Sequence, residues 1–326
     1  MTNKTRLLVV CGLHRSGTTF VGEILRQSGI YVVHEPLNEC FGMVGVPIAY
    51  PFVERCGDQF SVLLDDALQL ARPWNKDISY IQSSGVKRSI YALTGGRSGL
   101  RWEWLRLCSM LGMSPRCLCL KDPFMTLSTP YLVREHGLNV VCMVRHPAAI
   151  HYSTDKQGWR FDVDNLLQQP ELIARHGADI PKAHWDLARE SAAASIALLW
   201  KMMMRVNGPL AERDSRMLMV RHEELCLEPQ KTVRKICEHF GIPFTPILEG
   251  FVSENSEGDQ AESKDGKTHD FRRNSRALID TWRGKVSEDK VALMREIIGE
   301  DLRLFIHHGK SAEDVTFGCD APQFVA

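Results

Sequence analysis

The sequence has no excess of charge of either sign and no long hydrophobic run. Its 40 basic residues balance 40 acidic ones, so no overall field attracts nucleic acid or an anionic membrane. The longest apolar runs, 7–13 and 192–200, are too short to cross a bilayer. The first run lacks a small-residue cleavage site, so we expect no signal peptide. We therefore expect neither a nucleic-acid nor a membrane partner, and any anion site must be local.

A closely spaced cysteine set is also missing, although the chain has ten cysteines. Four of them lie inside apolar, strand-like runs, where a thiol behaves as a small hydrophobic group: Cys11, Cys117, Cys119 and Cys142. The single residue between Cys117 and Cys119 is the wrong spacing for a zinc knuckle or a redox pair. We expect all ten cysteines to be reduced and structural, which favours a cytoplasmic protein without a metal site.

The hydrophobic pattern predicts an α/β fold. Five apolar runs rich in β-formers predict strands at 6–11, 30–34, 116–120, 139–145 and 216–220. Helical periodicity occupies 18–27, 61–71, 98–111, 127–135, 148–156, 187–206, 229–240 and 287–305. Alternating strands and helices predict a central parallel sheet flanked by helices. Without a repeat or a clear linker, we expect a single domain over 1–306 and a loose C-terminal tail over 307–326.

A glycine loop, GLHRSGTT at 12–19, joins the first predicted strand to the first helix. The backbone N–H groups of such a loop, with the positive end of the following helix dipole, bind phosphate. Gly12 and Gly17 have Walker A spacing, but Thr18 occupies the lysine position and the cation is Arg15. Loss of that lysine argues against nucleoside triphosphate chemistry and favours an anion with a single 5′-phosphate.

A second anion-binding pattern lies where the fourth predicted strand ends. Arg145 ends this strand, and Ser153 follows eight residues later in the next helix. An arginine at a strand's carboxyl end can bind phosphate through two N–H groups, at the edge where open α/β sheets bind ligands. Two turns of helix allow the Ser153 hydroxyl to face the same point. Each pattern is weak alone, but their occurrence in this order strengthens both.

Together these residues resemble the family of sulfotransferases that depend on 3′-phosphoadenosine-5′-phosphosulfate (PAPS). The loop is similar to the family's 5′-phosphosulfate loop, and Arg145 with Ser153 is similar to its 3′-phosphate motif. The resemblance implies a P-loop NTPase-like fold and transfer of a sulfuryl group from PAPS, with PAP as product. It also implies that six loop residues bind the 5′-phosphosulfate: His14, Arg15, Ser16, Gly17, Thr18 and Thr19.

Other residues resemble the family less closely. Lys121, at the end of the third predicted strand, could stabilise charge on the leaving phosphate. Phe20 matches a family aromatic near the adenine, or is simply a core residue. The basic segment 271–276 resembles the loop that closes over the 3′-phosphate and adenine, although a solvated loop would have the same composition. Its expected contributors to the cofactor site are Arg273, Ser275 and Arg276.

The general base is the most open assignment. Many cytosolic members have a histidine two positions after the strand-end lysine, but this position is Pro123. In carbohydrate and several bacterial members, a glutamate near the end of the second strand serves as base. Desolvation can raise the pKa of such a glutamate into a useful range. We expect Glu35 to be the base, with His34 second and Asp122 third; alternatively, Glu35 forms a salt bridge and positions the site.

The acceptor class follows only coarsely from these residues. We expect a small molecule, such as a secondary metabolite or a sugar, that receives the sulfuryl group on a hydroxyl or an amine. We expect no metal requirement, because arginine and lysine supply the positive charge. Two other functions stay open: a P-loop kinase-like nucleotide enzyme, and a non-catalytic module that binds PAP or PAPS. No oligomeric state follows from the sequence.

Overall fold

Five parallel strands form the sheet in the computed structural model, which describes residues 5–77, 79, 85–256 and 275–307. The strands are β1 (Arg6–Gly12), β2 (Tyr31–His34), β3 (Cys117–Lys121), β4 (Asn139–Val144) and β5 (Met217–Arg221). Their order across the sheet is β2-β3-β1-β4-β5. All five predicted strands are confirmed to within one residue at either end, and so is the predicted P-loop-like α/β fold.

The sheet is apolar on both faces because helices cover both. In β1, Val9 and Cys11 face one hydrophobic cluster while Leu8 and Val10 face the other, as expected when successive side chains point to opposite sides. Burial on both faces explains why these strands are continuous apolar runs in the sequence rather than alternating ones. The glycine loop at the end of β1 therefore rests on a firmly packed strand.

Helices connect the strands and cover the sheet. The first seven are α1 (Thr18–Gln27), α2 (Ser61–Leu68), α3 (Val86–Thr94), α4 (Gly96–Met110), α5 (Thr129–Arg134), α6 (Pro147–Asp155) and α7 (Asp164–Leu167). The others are α8 (Pro170–Leu172), α9 (Lys182–Glu190), α10 (Ala192–Arg213), α11 (His222–Leu227), α12 (Pro229–His239), α13 (Pro246–Ser256), α14 (Glu288–Ile298) and α15 (Leu302–His307). Among the described residues, no helix is both long and apolar enough to cross a membrane.

Two helical predictions need correction. The helix predicted over 187–206 is two helices, α9 and α10, because Ser191 between them has an extended backbone and its hydroxyl accepts the Ala194 N–H at 3.3 Å. A capping serine thus interrupts what reads as one periodic pattern. The helix predicted over 287–305 is also two helices, because a 3₁₀ turn at Gly299–Asp301 separates α14 from α15. Five helices were not predicted: α3, α7, α8, α11 and α13. The proposed tail, 307–326, lies outside the described residues except for His307, which ends α15.

The carboxyl ends of the five parallel strands meet at one edge of the sheet, and basic residues concentrate there. β2 ends at His34, β3 at Lys121 and β5 at Arg221, while Arg145 directly follows β4. The central strand β1 lies between β3 and β4 and leads into the loop that contains Arg15. The topology therefore gathers positive charge around the glycine loop in a chain whose overall charge is zero.

Candidate functional site

The glycine loop begins where only glycine fits. Gly12 has a φ of 131°, and a Cβ there would lie 2.2 Å from the carbonyl oxygen of Met143 in the neighbouring strand. Its N–H donates to the Thr126 hydroxyl at 2.8 Å. Gly17, with a φ of 99°, starts α1 and offers no side-chain oxygen to cap the helix. The N–H groups of the first turn are therefore directed at the loop, as in a phosphate site.

Arg15 connects the two predicted anion-binding patterns. It has a left-handed backbone, with a φ of 67°, and its Nε donates to the Ser153 hydroxyl at 2.8 Å. The Nη1 of Arg145 donates to the Arg15 carbonyl oxygen at 2.8 Å. Arg15, Arg145 and Ser153 therefore form one cluster. The sequence interpretation gave Arg15 to the 5′-phosphate alone, whereas the structure directs its side chain at the expected 3′-phosphate anchor.

Lys121 and Glu35 form an ion pair beside this loop. The Lys121 Nζ and Glu35 Oε1 lie 2.6 Å apart, and only 2% of the lysine side chain is exposed. The Glu35 N–H donates to the Lys121 carbonyl oxygen at 2.8 Å, which extends the parallel pairing of β2 with β3. Asn38 Nδ2 donates to the second carboxylate oxygen at 3.1 Å. Two expected catalytic residues are thus joined by side chain and backbone.

The pKa of Glu35 is lowered, not raised as the sequence interpretation expected. Burial alone would raise this pKa, but the charges of Lys121 and His14 and hydrogen bonds from Lys121 and Asn38 lower it to about 2. His14 is itself neutral at pH 7, because burial together with nearby Lys121 and Arg15 lowers its pKa to about 4. Lys121 is therefore the partner that keeps the Glu35 carboxyl ionised at neutral pH.

His14 packs into the wall of the site through a contact that the sequence did not predict. Its Nδ1 lies 2.5 Å from the Tyr50 hydroxyl, and its ring contacts Phe124 edge to face at 4.7 Å between centroids. Burial raises the pKa of the Tyr50 hydroxyl, so this hydroxyl stays protonated. Tyr50 follows an irregular stretch that contains glycine and proline and has no periodic pattern, and no local motif marks it.

Asp122, the third candidate base, has a structural role in this arrangement. One carboxylate oxygen accepts the Leu37 N–H at 2.6 Å and the other accepts the Phe124 N–H at 2.9 Å. The side chain is completely buried, and burial with the nearby Glu35 charge raises the pKa of Asp122 to about 7. Asp122 therefore caps the 3₁₀ turn at Pro123–Ser128 and fixes the loop after β2.

Helix α10 supports the loop from below through residues that the sequence did not mark. The indole N–H of Trp200 donates to the Arg145 carbonyl oxygen at 3.0 Å. Further along the same helix, Asn207 Nδ2 donates to the Thr126 carbonyl oxygen at 3.0 Å. The Thr126 hydroxyl in turn accepts the Gly12 N–H. A single helix thus positions both the second anchor and the start of the glycine loop.

A cleft of about 640 Å³ opens beside these groups. Thr19, His34, Glu35 and Lys121 line it. Aromatic and basic side chains also line it: Phe41, Trp74, Tyr91, Arg26, Arg97 and Arg101. The first and second candidate bases therefore line the same cleft as the last residue of the glycine loop, so a molecule bound there can reach both.

Of the remaining residues predicted to bind the cofactor, one lies outside the described residues and the others have partners within the protein. Arg273 lies outside the described residues. The Ser275 hydroxyl donates to the Cys226 carbonyl oxygen at 2.8 Å, and Arg276 lies 3.5 Å from the Leu227 carbonyl oxygen. Phe20 stacks on Phe251 at 6.1 Å between ring centroids. The segment after 274 also reaches the anion cluster, because Arg145 Nη2 lies 3.4 Å from the Leu278 carbonyl oxygen.

Within 5–77, 79, 85–256 and 275–307, no three histidine, cysteine or acidic side chains are grouped in a way that could hold a metal ion. The positive charges in the described site are those of arginine and lysine.

Comparison with known proteins identifies relatives of this chain. The model of a family described as "Sulfotransferase family" matches residues 8–246. Mouse carbohydrate sulfotransferase 7 is 25% identical over 198 residues, which cover 54% of this chain and 41% of the mouse protein. Human carbohydrate sulfotransferase 5 is 23% identical over 202 residues, which cover 60% and 46%. The chain thus spans less than half the length of these curated relatives.

Solved structures give more distant matches. Retinol dehydratase in a complex with retinol and PAP is 12% identical, with a TM-score of 0.48, over 91% of this chain and 81% of that one. The sulfotransferase domain of the Synechococcus PCC 7002 olefin synthase is 16% identical, with a TM-score of 0.40, over 90% and 94%.

Proposed function

Because the chain belongs to the sulfotransferase family, we propose that it transfers a sulfuryl group from PAPS to a hydroxyl or amine of a small-molecule acceptor and releases PAP. One observation carries this proposal: the Lys121–Glu35 ion pair and Thr19 of the glycine loop line the same cleft. A donor on the loop and an acceptor in the cleft can therefore meet at a cation and a proton acceptor.

The cofactor orientation that we propose follows the sequence motifs. The 5′-phosphosulfate binds the loop residues 14–19, and the 3′-phosphate binds Arg145 and Ser153. Because Arg15 already donates to Ser153, we propose that it contacts both ends of the cofactor. We also propose that Phe20 contacts the adenine and that Arg273, Ser275 and Arg276 of the later segment contribute to the cofactor site.

In the proposed reaction, the acceptor oxygen or nitrogen attacks the sulfur in line as the bond from sulfur to the 5′-phosphate oxygen breaks. Arg15 and Lys121 stabilise the negative charge that develops on the phosphate. As Lys121 turns from Glu35 towards this phosphate, the pKa of Glu35 rises and its carboxylate can take the acceptor's proton. His34 is the alternative base, because it lines the same cleft.

The walls of the cleft suit a sugar or another flat, polar acceptor. Phe41 and Tyr91 offer aromatic surface, and neighbouring basic groups offer hydrogen-bond donors. The curated relatives are named carbohydrate sulfotransferases, which supports a sugar among the candidates. All nine cysteines in the described residues are free thiols, which supports the cytoplasmic location that we propose. The one five-stranded sheet of the described residues supports the single domain over 1–306 that we propose.

Titration calorimetry with PAP and with ATP, followed by a PAPS turnover assay, tests this proposal. We expect PAP to bind more tightly than ATP and PAPS to be consumed when a suitable acceptor is present. Preferred ATP binding would support the kinase-like alternative. PAP binding without turnover across a broad acceptor panel would support the non-catalytic module.

Metal dependence separates the sulfotransferase from the kinase-like enzyme. We expect EDTA to leave turnover unchanged, because Arg15 and Lys121 supply the charge that magnesium supplies in phosphoryl transfer. The measurement is the initial rate with EDTA and after added magnesium. Loss of activity in EDTA and its recovery with magnesium would contradict the proposed chemistry.

A further inference from the structure

Helices α3 and α4 expose a large apolar surface beside the cleft. Nine of the fifteen large apolar side chains that are exposed in the described part of the chain lie within 86–113. We call these nine the α3–α4 apolar surface: Val86, Ile90, Leu93, Leu100, Trp104, Leu107, Met110, Leu111 and Met113. Single exposed apolar residues are normal, but a concentration of this kind marks a surface that contacts something else.

The geometry of α4 shows that this exposure is organised along the helix. At about 100° per residue, Leu100, Trp104 and Leu107 fall within roughly 60° of the helix circumference. The opposite side of the same helix is buried, with Trp102 and Leu105 in the core. The helix therefore has two apolar faces. One packs on the protein, and the other stays largely exposed in the described part of the chain, with Trp104 58% exposed.

The same segment carries a local excess of positive charge. Residues 86–113 hold five basic residues and one acidic residue, in a chain with 40 of each. The acidic residue, Glu103, already accepts hydrogen bonds from Arg106 at 2.8 Å and from the Trp74 N–H at 2.6 Å. Three of the arginines are exposed and form no salt bridge with the described residues: Arg88, Arg97 and Arg101.

We propose that the α3–α4 apolar surface docks the protein onto an anionic lipid membrane. Helices that combine exposed Leu, Met and Trp with basic residues lie in the membrane interface, where the apolar side enters the acyl boundary and the cations meet anionic headgroups. A second copy of the chain is a poorer occupant, because a symmetric contact would bring two positively charged surfaces together. The whole chain has no net charge, so its composition did not indicate this local excess of positive charge.

Docking in this way has a consequence for the cleft. Arg97 and Arg101 belong to the same helix as the exposed apolar residues, and they also line the cleft. The part of the cleft lined by Arg97 and Arg101 therefore lies close to the lipid surface when the helix is docked. The inference does not depend on the proposed sulfuryl transfer, because lipid binding can be measured without cofactor or acceptor.

The test is cosedimentation of the full chain with vesicles of phosphatidylcholine alone or mixed with phosphatidylserine. We expect binding to the mixed vesicles to be at least about tenfold tighter, and to weaken in high salt. In the double variant Leu100→Ser with Trp104→Ser, binding to the mixed vesicles should be about tenfold weaker than in the wild type, because both positions lose apolar contact with lipid. Arg88→Gln, which lies outside the cleft lining, should weaken it about fivefold, or roughly 1 kcal/mol.

A matched control replaces exposed apolar residues elsewhere. Val62→Ser with Ile247→Ser changes side chains that are 64% and 75% exposed on α2 and α13, and it should leave vesicle binding unchanged. Thermal unfolding checks that both double variants fold. Absent vesicle binding by the wild type, or equal binding by the two double variants, would overturn the proposal. So would a dimer in sedimentation velocity that Leu100→Ser with Trp104→Ser dissociates, since the occupant would then be a second copy.

Discussion

The Lys121–Glu35 ion pair makes the chemistry of each residue depend on the other. A buried ammonium needs a counter-charge, and Lys121 is 2% exposed. With the lysine in contact, Glu35 has a pKa of about 2 and is a weak base. If a bound cofactor draws Lys121 away from Glu35, the cofactor gains a cationic partner. The pKa of Glu35 then rises, which makes Glu35 a stronger base. Of the two interpretations of Glu35 that the sequence left open, the salt bridge is observed, and the role as base stays a prediction.

We expect Glu35→Gln to lower turnover about 10²–10⁴-fold while PAP affinity stays nearly intact. Glutamine keeps the shape and can still accept a hydrogen bond from Lys121, but it cannot take the acceptor's proton. The measurements are steady-state turnover and PAP titration on the same preparation. His34→Ala is the matched comparison: if it loses turnover while Glu35→Gln keeps it, the base is His34.

The anion anchors allow a second comparison between single residues. Arg145→Ala should weaken PAP binding by about 2–4 kcal/mol, or roughly 30- to 700-fold, because it removes charge-assisted hydrogen bonds. Ser153→Ala removes one neutral hydrogen bond and should cost about 0.5–1.5 kcal/mol. Calorimetric titration with PAP measures both. Wild-type affinity in Arg145→Ala would contradict the assignment of the 3′-phosphate site.

Among the elements, the glycine loop is fixed by backbone geometry rather than by side chains. We expect Gly12→Ala to destabilise the fold by about 3 kcal/mol or more, because its Cβ would clash with the Met143 carbonyl oxygen at 2.2 Å. Gly29 is the matched control: its φ of 79° is also left-handed, but nothing lies within 4 Å of an added Cβ. Gly29→Ala should cost only about 1 kcal/mol. Urea unfolding of both variants measures the difference, and equal costs would show that the contact with β4 is unimportant.

The strands and the glycine loop could be predicted because their signals are local. A buried parallel strand is a continuous apolar run, and a phosphate loop has a fixed spacing. Residues that complete the site from a distance carry no such signal: Tyr50 reaches His14 from an irregular segment, and Asn207 reaches Thr126 from the middle of a long helix. The boundary at Ser191 was missed because the apolar period continues across it. The extended backbone of Ser191 ends α9, and its hydroxyl caps the start of α10.

In the molecule as a whole, burial of neutral histidines couples folding to pH. Burial lowers the pKa of His14 to about 4 and of His146 to about 3, and it lowers the pKa of His222 well below the ordinary value. Partial burial lowers three more: His151, His176 and His239. In the unfolded chain these groups take up a proton near pH 6.5. Between about pH 4 and 6.5, the unfolded state therefore binds more protons than the folded state.

Stability should consequently fall as the pH is lowered from about 6.5 towards 4, with each bound proton contributing up to about 1.4 kcal/mol per pH unit. Asp122 acts in the opposite direction, because its raised pKa of about 7 makes the folded state hold one extra proton in this range. Burial also raises the pKa of Glu39 and of Glu223, which act in the same direction as Asp122. The six histidines with a lowered pKa outnumber these three carboxyls. Urea unfolding at a series of pH values measures the slope. His146→Asn is the control, since asparagine can still cap α6 through the Ala148 N–H, which His146 Nδ1 now accepts at 3.2 Å, but does not titrate. In this variant, the slope of the free energy of unfolding against pH should be smaller by the contribution of about one proton. A wild-type stability that is flat or rises on acidification would contradict the buried, neutral state of these histidines.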